Sequence, residues 1–168
     1  MPELNLRPTA AADYAFLADL HKQTFAGYAA QTWGWDEVRL MAEFRQEFAD
    51  SVRQVVCLGR HKIGSLVVED DGDSLFLDYL AILPTYQSRG VGTKLIQLLL
   101  DEAASRAIPV RLHVLKCNPA KALYERLGFC VVGSDQHRYL LEAWPSSRRG
   151  ARRNKGQSES SNPSTLSN

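Results

Sequence analysis

Two periodicities of apolar residues alternate along this chain, and their order outlines a layered fold. Leu4 and Leu6 alternate with Asn5 and Arg7, and Pro8 closes the run, as in a short strand. Thr9 is the expected cap of a first helix, on which Phe16, Leu17 and Leu20 return at helical spacing. A second helix is expected after Trp33-Gly34-Trp35-Asp36, with Val38, Met41, Phe44 and Phe48 on one stripe. Three strand-like runs follow at 54–58, 62–69 and 74–83. The turns between them, Gly59-Arg60-His61 and Asp70-Asp71-Gly72-Asp73, predict an antiparallel meander. Beyond Pro84, Val91, Leu95, Leu98, Leu99 and Ala103 form the stripe of a third helix. A strand at 110–115 leads to a helix at 119–127, capped by Asn118, opened by Pro119 and ended by Gly128. Runs at 129–132 and 138–141 read as a closing strand pair. The order β-α-α-β-β-β-α-β-α-β-β, without internal repeats, predicts an α/β layer protein: a mixed, mostly antiparallel sheet of about seven strands with four helices.

Composition narrows the class. At 168 residues, 45 % of them hydrophobic, the chain suits one domain with a sizeable core. The net charge of +1 hides an asymmetry: residues 145–168 carry +4, from Arg148, Arg149, Arg152, Arg153 and Lys155 against Glu159, and residues 1–144 carry −3. The C-terminal stretch is rich in Ser, Asn and Gly and is expected to be a disordered tail on a domain spanning 1–144. Such a basic segment could reach nucleic acid or an anionic surface, whereas the mildly acidic domain argues against nucleic-acid binding of its own. No run has the length and apolarity of a membrane span, so no membrane association is expected. Cys57, Cys117 and Cys130, odd in number and without C-x-x-C spacing, speak against a disulfide framework or a zinc site. With no leader-like pattern at Met1-Pro2-Glu3-Leu4, the expectation is a cytoplasmic protein without a metal. Whether it is a homodimer is left open.

Candidate chemistry concentrates at Gln87-Ser88-Arg89-Gly90-Val91-Gly92-Thr93, where a strand passes into a helix. A helix N-terminus there offers free backbone N–H groups and the positive end of the helix dipole. Glycines let the backbone approach a ligand closely, Arg89 adds charge and Thr93 a hydroxyl, which suits a phosphate or pyrophosphate. The stretch lacks the third glycine of a dinucleotide-binding G-x-G-x-x-G, because Leu95 stands there. Gly92-Thr93-Lys94 has the wrong order for a P-loop.

Gln87-x-x-Gly90-x-Gly92 resembles the acyl-CoA pyrophosphate motif of the GNAT superfamily of N-acetyltransferases, and the likeness extends over roughly residues 4–143. A second block, from Asn118 through Tyr124 to Gly128-Phe129, resembles that family independently. The resemblance implies acetyl-CoA as co-substrate and an amine of a small molecule or peptide as acceptor. It implies splayed middle strands, with the pantetheine arm between them against the backbone of Leu80, Ala81 and Ile82. It also implies pyrophosphate on the N–H groups from Gln87 through Ser88, Arg89, Gly90, Val91, Gly92 and Thr93, and a cofactor contact from Asn118. Tyr124 matches the tyrosine that protonates the leaving thiolate; a phenol with an ordinary pKa near 10 is protonated at neutral pH.

The amine is to be deprotonated by a side chain or through a water relay, and two side chains are candidates. Asp78, four residues before Ile82, is expected on the same side of its strand; His113 is the other. For the acceptor, the segment expected to join the first two helices carries Tyr28, Trp33, Trp35 and Asp36, which could receive a cation through ring faces and charge. Trp35 and Asp36 read equally well as the staple and cap of the second helix. The function these features imply is direct transfer of an acetyl group to a primary amine in a ternary complex. The alternatives are acetylation of a protein N-terminus, against which His113 speaks because it is not a glutamate, a non-catalytic acyl-CoA sensor, or acetylation of a nucleic-acid-associated target recruited by the tail.

Overall fold

A computed structural model describes residues 2–146, so the expected tail lies outside the described residues apart from Pro145 and Ser146. Seven strands form one sheet in the order β1-β2-β3-β4-β5-β7-β6: β1 (Leu4–Pro8), β2 (Arg53–Leu58), β3 (His61–Asp70), β4 (Leu75–Ile82), β5 (Val110–Leu115), β6 (Cys130–Ser134) and β7 (Arg138–Ala143). Every neighbouring pair is antiparallel except β4 and β5. Four helices complete the fold: α1 (Tyr14–Trp33), α2 (Glu37–Asp50), α3 (Val91–Ser105) and α4 (Ala120–Arg126). The expected mixed sheet and its meander are therefore present.

Alternation along the strands divides the core in two. On one face, Val56, Leu75, Leu77, Ile82 and Leu112 pack with Leu95, Ile96, Leu99 and Ala103 of α3. On the other, Val55, Cys57 and Ala81 meet Leu17 and Leu20 of α1 and Phe44 of α2. A sheet with both faces covered buries apolar area at about 25 cal/mol per Å², which fixes the register of every strand in it.

Several local expectations change. Thr9 does not cap α1; its Oγ1 donates to the Arg53 carbonyl at 2.8 Å and ties β1 to β2. Asp13 organises the helix entry instead, accepting from the Ala10 N–H at 2.9 Å and from both Arg7 Nη atoms at 2.7 and 2.8 Å. Val38 is 83 % exposed and Leu98 53 %, whereas Leu40 and Ile96 are buried in their place. The segment from Tyr28 to Trp33 is not a connection but the last turns of α1. Ala29 and Ala30 favour helix, and Gly34, at φ +85°, ends it with its N–H on the Ala30 carbonyl.

Candidate active site

The site is built on a divergence between β4 and β5. These strands pair in parallel only over Leu75–Val110, Phe76–Arg111 and Leu77–Leu112. Beyond that point β5 continues alongside β7, from His113–Leu140 to Leu115–Arg138, and β4 alongside β3 as far as Ile82. A wedge opens between them, as the resemblance implied. Leu83 donates its N–H to the Ile63 carbonyl on the β3 side. Alternation along the strand then turns the polar groups of Ala81 to β3 and those of Leu80 and Ile82 to the wedge. The Ile82 carbonyl is met there by Gln87 Nε2 at 2.8 Å.

The glycine turn closes one end of the wedge. Ser88 at φ +57° and Gly90 at φ +78° take left-handed conformations, which bend the chain sharply into α3. Turns of this kind gather successive N–H groups into an anion-binding concavity. Among the described residues, the N–H groups of Ser88, Arg89, Gly90, Val91, Gly92 and Thr93 donate to no protein acceptor. Gln87 differs from the expectation: its N–H is held by the Pro84 carbonyl at 3.2 Å, so it braces the turn rather than opening onto it. The two glycines have separate causes. Gly90 needs its left-handed φ, where a side chain is strained. Gly92 needs nothing of the kind: an added Cβ would lie 3.8 Å from Leu123 Cδ2, an ordinary contact. A glycine in the first helical turn that the protein's own atoms do not require leaves room for something else. Arg89, with its guanidinium 5.5 Å from the Tyr86 ring centre, supplies positive charge at the turn.

α4 borders the turn through Leu123 and carries Tyr124. The Tyr124 ring packs on the α3-side core and meets Phe129 edge-on at 5.7 Å. Burial pushes its phenol up to about 12, and among the described residues its hydroxyl makes no hydrogen bond. Asn118 serves the start of α4, with Oδ1 accepting from the Ala120 N–H at 2.9 Å. That contact is structural and leaves its amide nitrogen for other partners.

Asp78 is not on the same side as Ile82. Val67 faces Tyr79 and Val68 faces Leu77, so Asp78 is the extra residue of a β-bulge, at the point where β4 leaves β5. The bulge reverses the side-chain parity. Ile82 packs on α3, whereas Asp78 lies within electrostatic reach of Arg53, Glu47 and His113. His113 is exposed, meets Phe76 edge-on at 5.3 Å, and has its pKa lowered by partial desolvation and then by Arg138. The two candidate bases thus lie within electrostatic reach of each other.

The expected acceptor residues are only partly gathered. Trp33 reaches across to His137 in the β6–β7 turn, with ring centres 5.7 Å apart, and neighbours Phe25. Asp36 Oδ1 caps α2 on the Arg39 N–H at 2.9 Å, which favours its structural reading. Trp33 and Asp36 line a cavity of about 270 Å³ with Phe25, Leu40 and Glu43, among others. Trp35 is 60 % exposed and makes no ring or cation contact among the described residues. Tyr28 contributes its carbonyl, which accepts from Thr32 Oγ1 at 2.8 Å.

Sequence reasoning missed a buried polar group beside the bulge. His21 Nδ1 lies 3.0 Å from the Tyr79 hydroxyl, and the Arg53 guanidinium lies 4.4 Å from the Tyr79 ring centre. His21 shares the apolar stripe of Leu17 and Leu20, a signal that it is buried.

A sheet whose paired strands part beside a turn of unengaged N–H groups can receive an extended ligand that carries an anionic group. The chain belongs to the acetyltransferase (GNAT) family, whose model matches residues 11–129. Among solved structures it resembles PaiA N-acetyltransferase from Thermoplasma acidophilum in complex with coenzyme A, at 16 % identity, covering 84 % of this chain and 99 % of that one, TM-score 0.64. It also resembles the ribosomal-protein-S18-alanine N-acetyltransferase of Escherichia coli, at 19 % identity, 86 % and 95 % coverage, TM-score 0.63. A third is a chimera of spermidine N-acetyltransferase SpeG from Vibrio cholerae and hSSAT, at 23 % identity, 86 % and 96 % coverage, TM-score 0.62. No curated protein matches the chain. Among the described residues no helix is long and apolar enough to cross a membrane, and no group of three or more His, Cys, Asp or Glu side chains could hold a metal ion.

Proposed function

We propose that the chain transfers an acetyl group from acetyl-CoA to a primary amine of a small molecule or protein, directly in a ternary complex. The observation that carries this reading is the set of six unengaged N–H groups, with a Gly92 that the fold itself does not need. These groups fit a pyrophosphate, and the wedge beside them offers the polar backbone of Leu80 and the Ile82 N–H to an extended arm. Acetyl-CoA, when bound, supplies the acetyl group as an activated thioester.

The chain's own residues then have distinct tasks. The Asp78 carboxylate draws a cationic amine to the bulge, and His113, disposed to its neutral form, accepts the proton that the amine must lose. Tyr124 keeps its proton at any physiological pH and has a free hydroxyl to give it from. In a dry site a developing thiolate is itself costly, which favours proton donation even from a weak acid. Asn118 steadies the start of the helix that carries Tyr124.

A spermidine acetyltransferase and an enzyme acting on the alanine of a ribosomal protein both share the fold, so the acceptor screen should include polyamines and peptides. Thiol release from acetyl-CoA, followed across polyamines, aminoglycosides, amino acids and peptides, tests the reading. Turnover with one class is expected. Saturable CoA binding without thiol release from any class would favour the sensor instead, and absence of CoA binding would overturn both.

A further inference from the structure

We infer that His21 and Tyr79 are positioning residues for acetyl transfer, which hold the β4 bulge and so aim Asp78. The inference rests on the acetyltransferase reading above. Tyr79 directly follows the bulged Asp78, so whatever fixes its side chain also fixes the backbone on which the wedge begins. Its hydroxyl lies 3.0 Å from His21 Nδ1, a contact spanning 58 residues of sequence. Phe25 and Phe44 stack on His21 with ring centres at 5.0 and 4.6 Å, which leaves the imidazole little freedom to turn away. Arg53 lies over the Tyr79 ring and donates from Nη1 to Ser65 Oγ at 3.2 Å.

This arrangement is an unusual one for an apolar layer. His21 and Arg53 are 4 % and 5 % exposed, and Arg53 Nε is buried without a partner. Desolvating such groups costs free energy that an apolar packing of the same shape would not. A directional hydrogen bond does what apolar packing cannot: it sets where one strand residue sits. Here that residue adjoins the candidate carboxylate, and the tie runs from α1 to the start of the wedge. Tyr79 and His21 themselves need not touch the acceptor.

The test uses the full chain and three variants. Tyr79→Phe keeps the ring under Arg53 and removes the hydroxyl. His21→Leu removes the ring nitrogen, whereas His21→Asn places a polar atom near the position of Nδ1 and can restore the bond. Displacing a positioned group costs ~10- to 100-fold in rate, so kcat should fall by that much in Tyr79→Phe and His21→Leu. The KM for acetyl-CoA should change less than about twofold, since neither side chain bonds to the glycine turn, and His21→Asn should recover most of the loss. Amide exchange at Tyr79 and Ala81, whose N–H groups face β3, supplies a readout that needs no turnover, and should rise about tenfold in Tyr79→Phe and His21→Leu but not in His21→Asn. Unchanged exchange in Tyr79→Phe, or kcat within twofold of wild type, overturns the inference; so does His21→Asn failing as badly as His21→Leu. A wild-type protein that binds no CoA would instead overturn the acetyltransferase reading, and the exchange result would still judge the tie to the bulge.

Discussion

The turn that opens α3 and the elbow that joins α1 to α2 do their work through different parts of the chain. In the turn, backbone carries the chemistry: six N–H groups are unspent, and two left-handed residues aim them. In the elbow, side chains carry it, and several already serve the fold. Asp36 caps α2, Glu43 pairs with Arg39 at 2.8 Å, and Glu37 pairs with Lys22. A ligand that every member of a family shares can be met by backbone, whose groups do not depend on residue type. An acceptor that differs between members must be met by side chains, which can be exchanged without disturbing the sheet. This is why the proposed ligand of the first region can be read from its backbone and that of the second cannot.

The largest test of this contrast lies on α4, which borders the turn. Tyr124→Phe keeps the ring that packs on Phe129 and loses only the hydroxyl. Turnover should drop ~10²- to 10⁴-fold, as for the loss of a general acid, with CoA affinity by calorimetry nearly unchanged. With chemistry shown to be rate-limiting, turnover within threefold of wild type would return Tyr124 to a packing role. Next in size is the turn itself. Gly92→Val should weaken CoA binding at least tenfold, about 1.4 kcal/mol. Gly92→Ala sharpens the point, because the added methyl meets only Leu123 at an ordinary distance. It should leave the melting temperature unchanged or raise stability by up to about 1 kcal/mol, as alanine exceeds glycine in helices, and still reduce CoA affinity. A Gly92→Ala protein that unfolds more easily would mean the glycine serves the fold after all.

Much of this contrast was legible before the structure. The periodicities gave the element order, and the turn was readable because its chemistry is contiguous in sequence. What escaped reading had physical causes. In α3 and α2 apolar residues occur around more than one face, so the stripe containing Leu98 or Val38 looked as good as the one containing Ile96 or Leu40. Only the position of the sheet decides between them. Counting back from Ile82 puts Asp78 on the same side of the strand, a count that one bulged residue invalidates. The resemblance implies a connection from Tyr28 onward, but nothing breaks the helix before Gly34, and tertiary contacts such as Trp33 to His137 hold its end. The bond between His21 and Tyr79 leaves no trace in local pattern at all, since it joins elements that only the fold brings together.

The smaller effects belong to the elbow. Asp36→Ala removes the side-chain bond to the Arg39 N–H and should cost about 1 kcal/mol, typical of a lost cap, visible as a lower denaturation midpoint at unchanged slope. A loss confined to acceptor KM, with stability intact, would make Asp36 a substrate residue rather than a cap.

The two tryptophans then separate the elbow's structural and binding roles. Trp33 lines the cavity and spans to His137, so its replacement by alanine should raise acceptor KM several-fold while leaving CoA affinity alone. Trp35, two residues on, is 60 % exposed and makes no ring or cation contact among the described residues. Its indole has little packing to lose, so Trp35→Ala should change stability by less than about 0.5 kcal/mol, as at ordinary surface sites, and should leave acceptor KM within experimental error. The pair is informative because the residues are chemically identical and neighbouring, so only their surroundings differ. Were Trp35→Ala to raise acceptor KM as much as Trp33→Ala, the acceptor would be contacting the exposed rim of the elbow. The cavity behind Trp33 would then be a packing gap between α1 and α2 rather than a binding pocket.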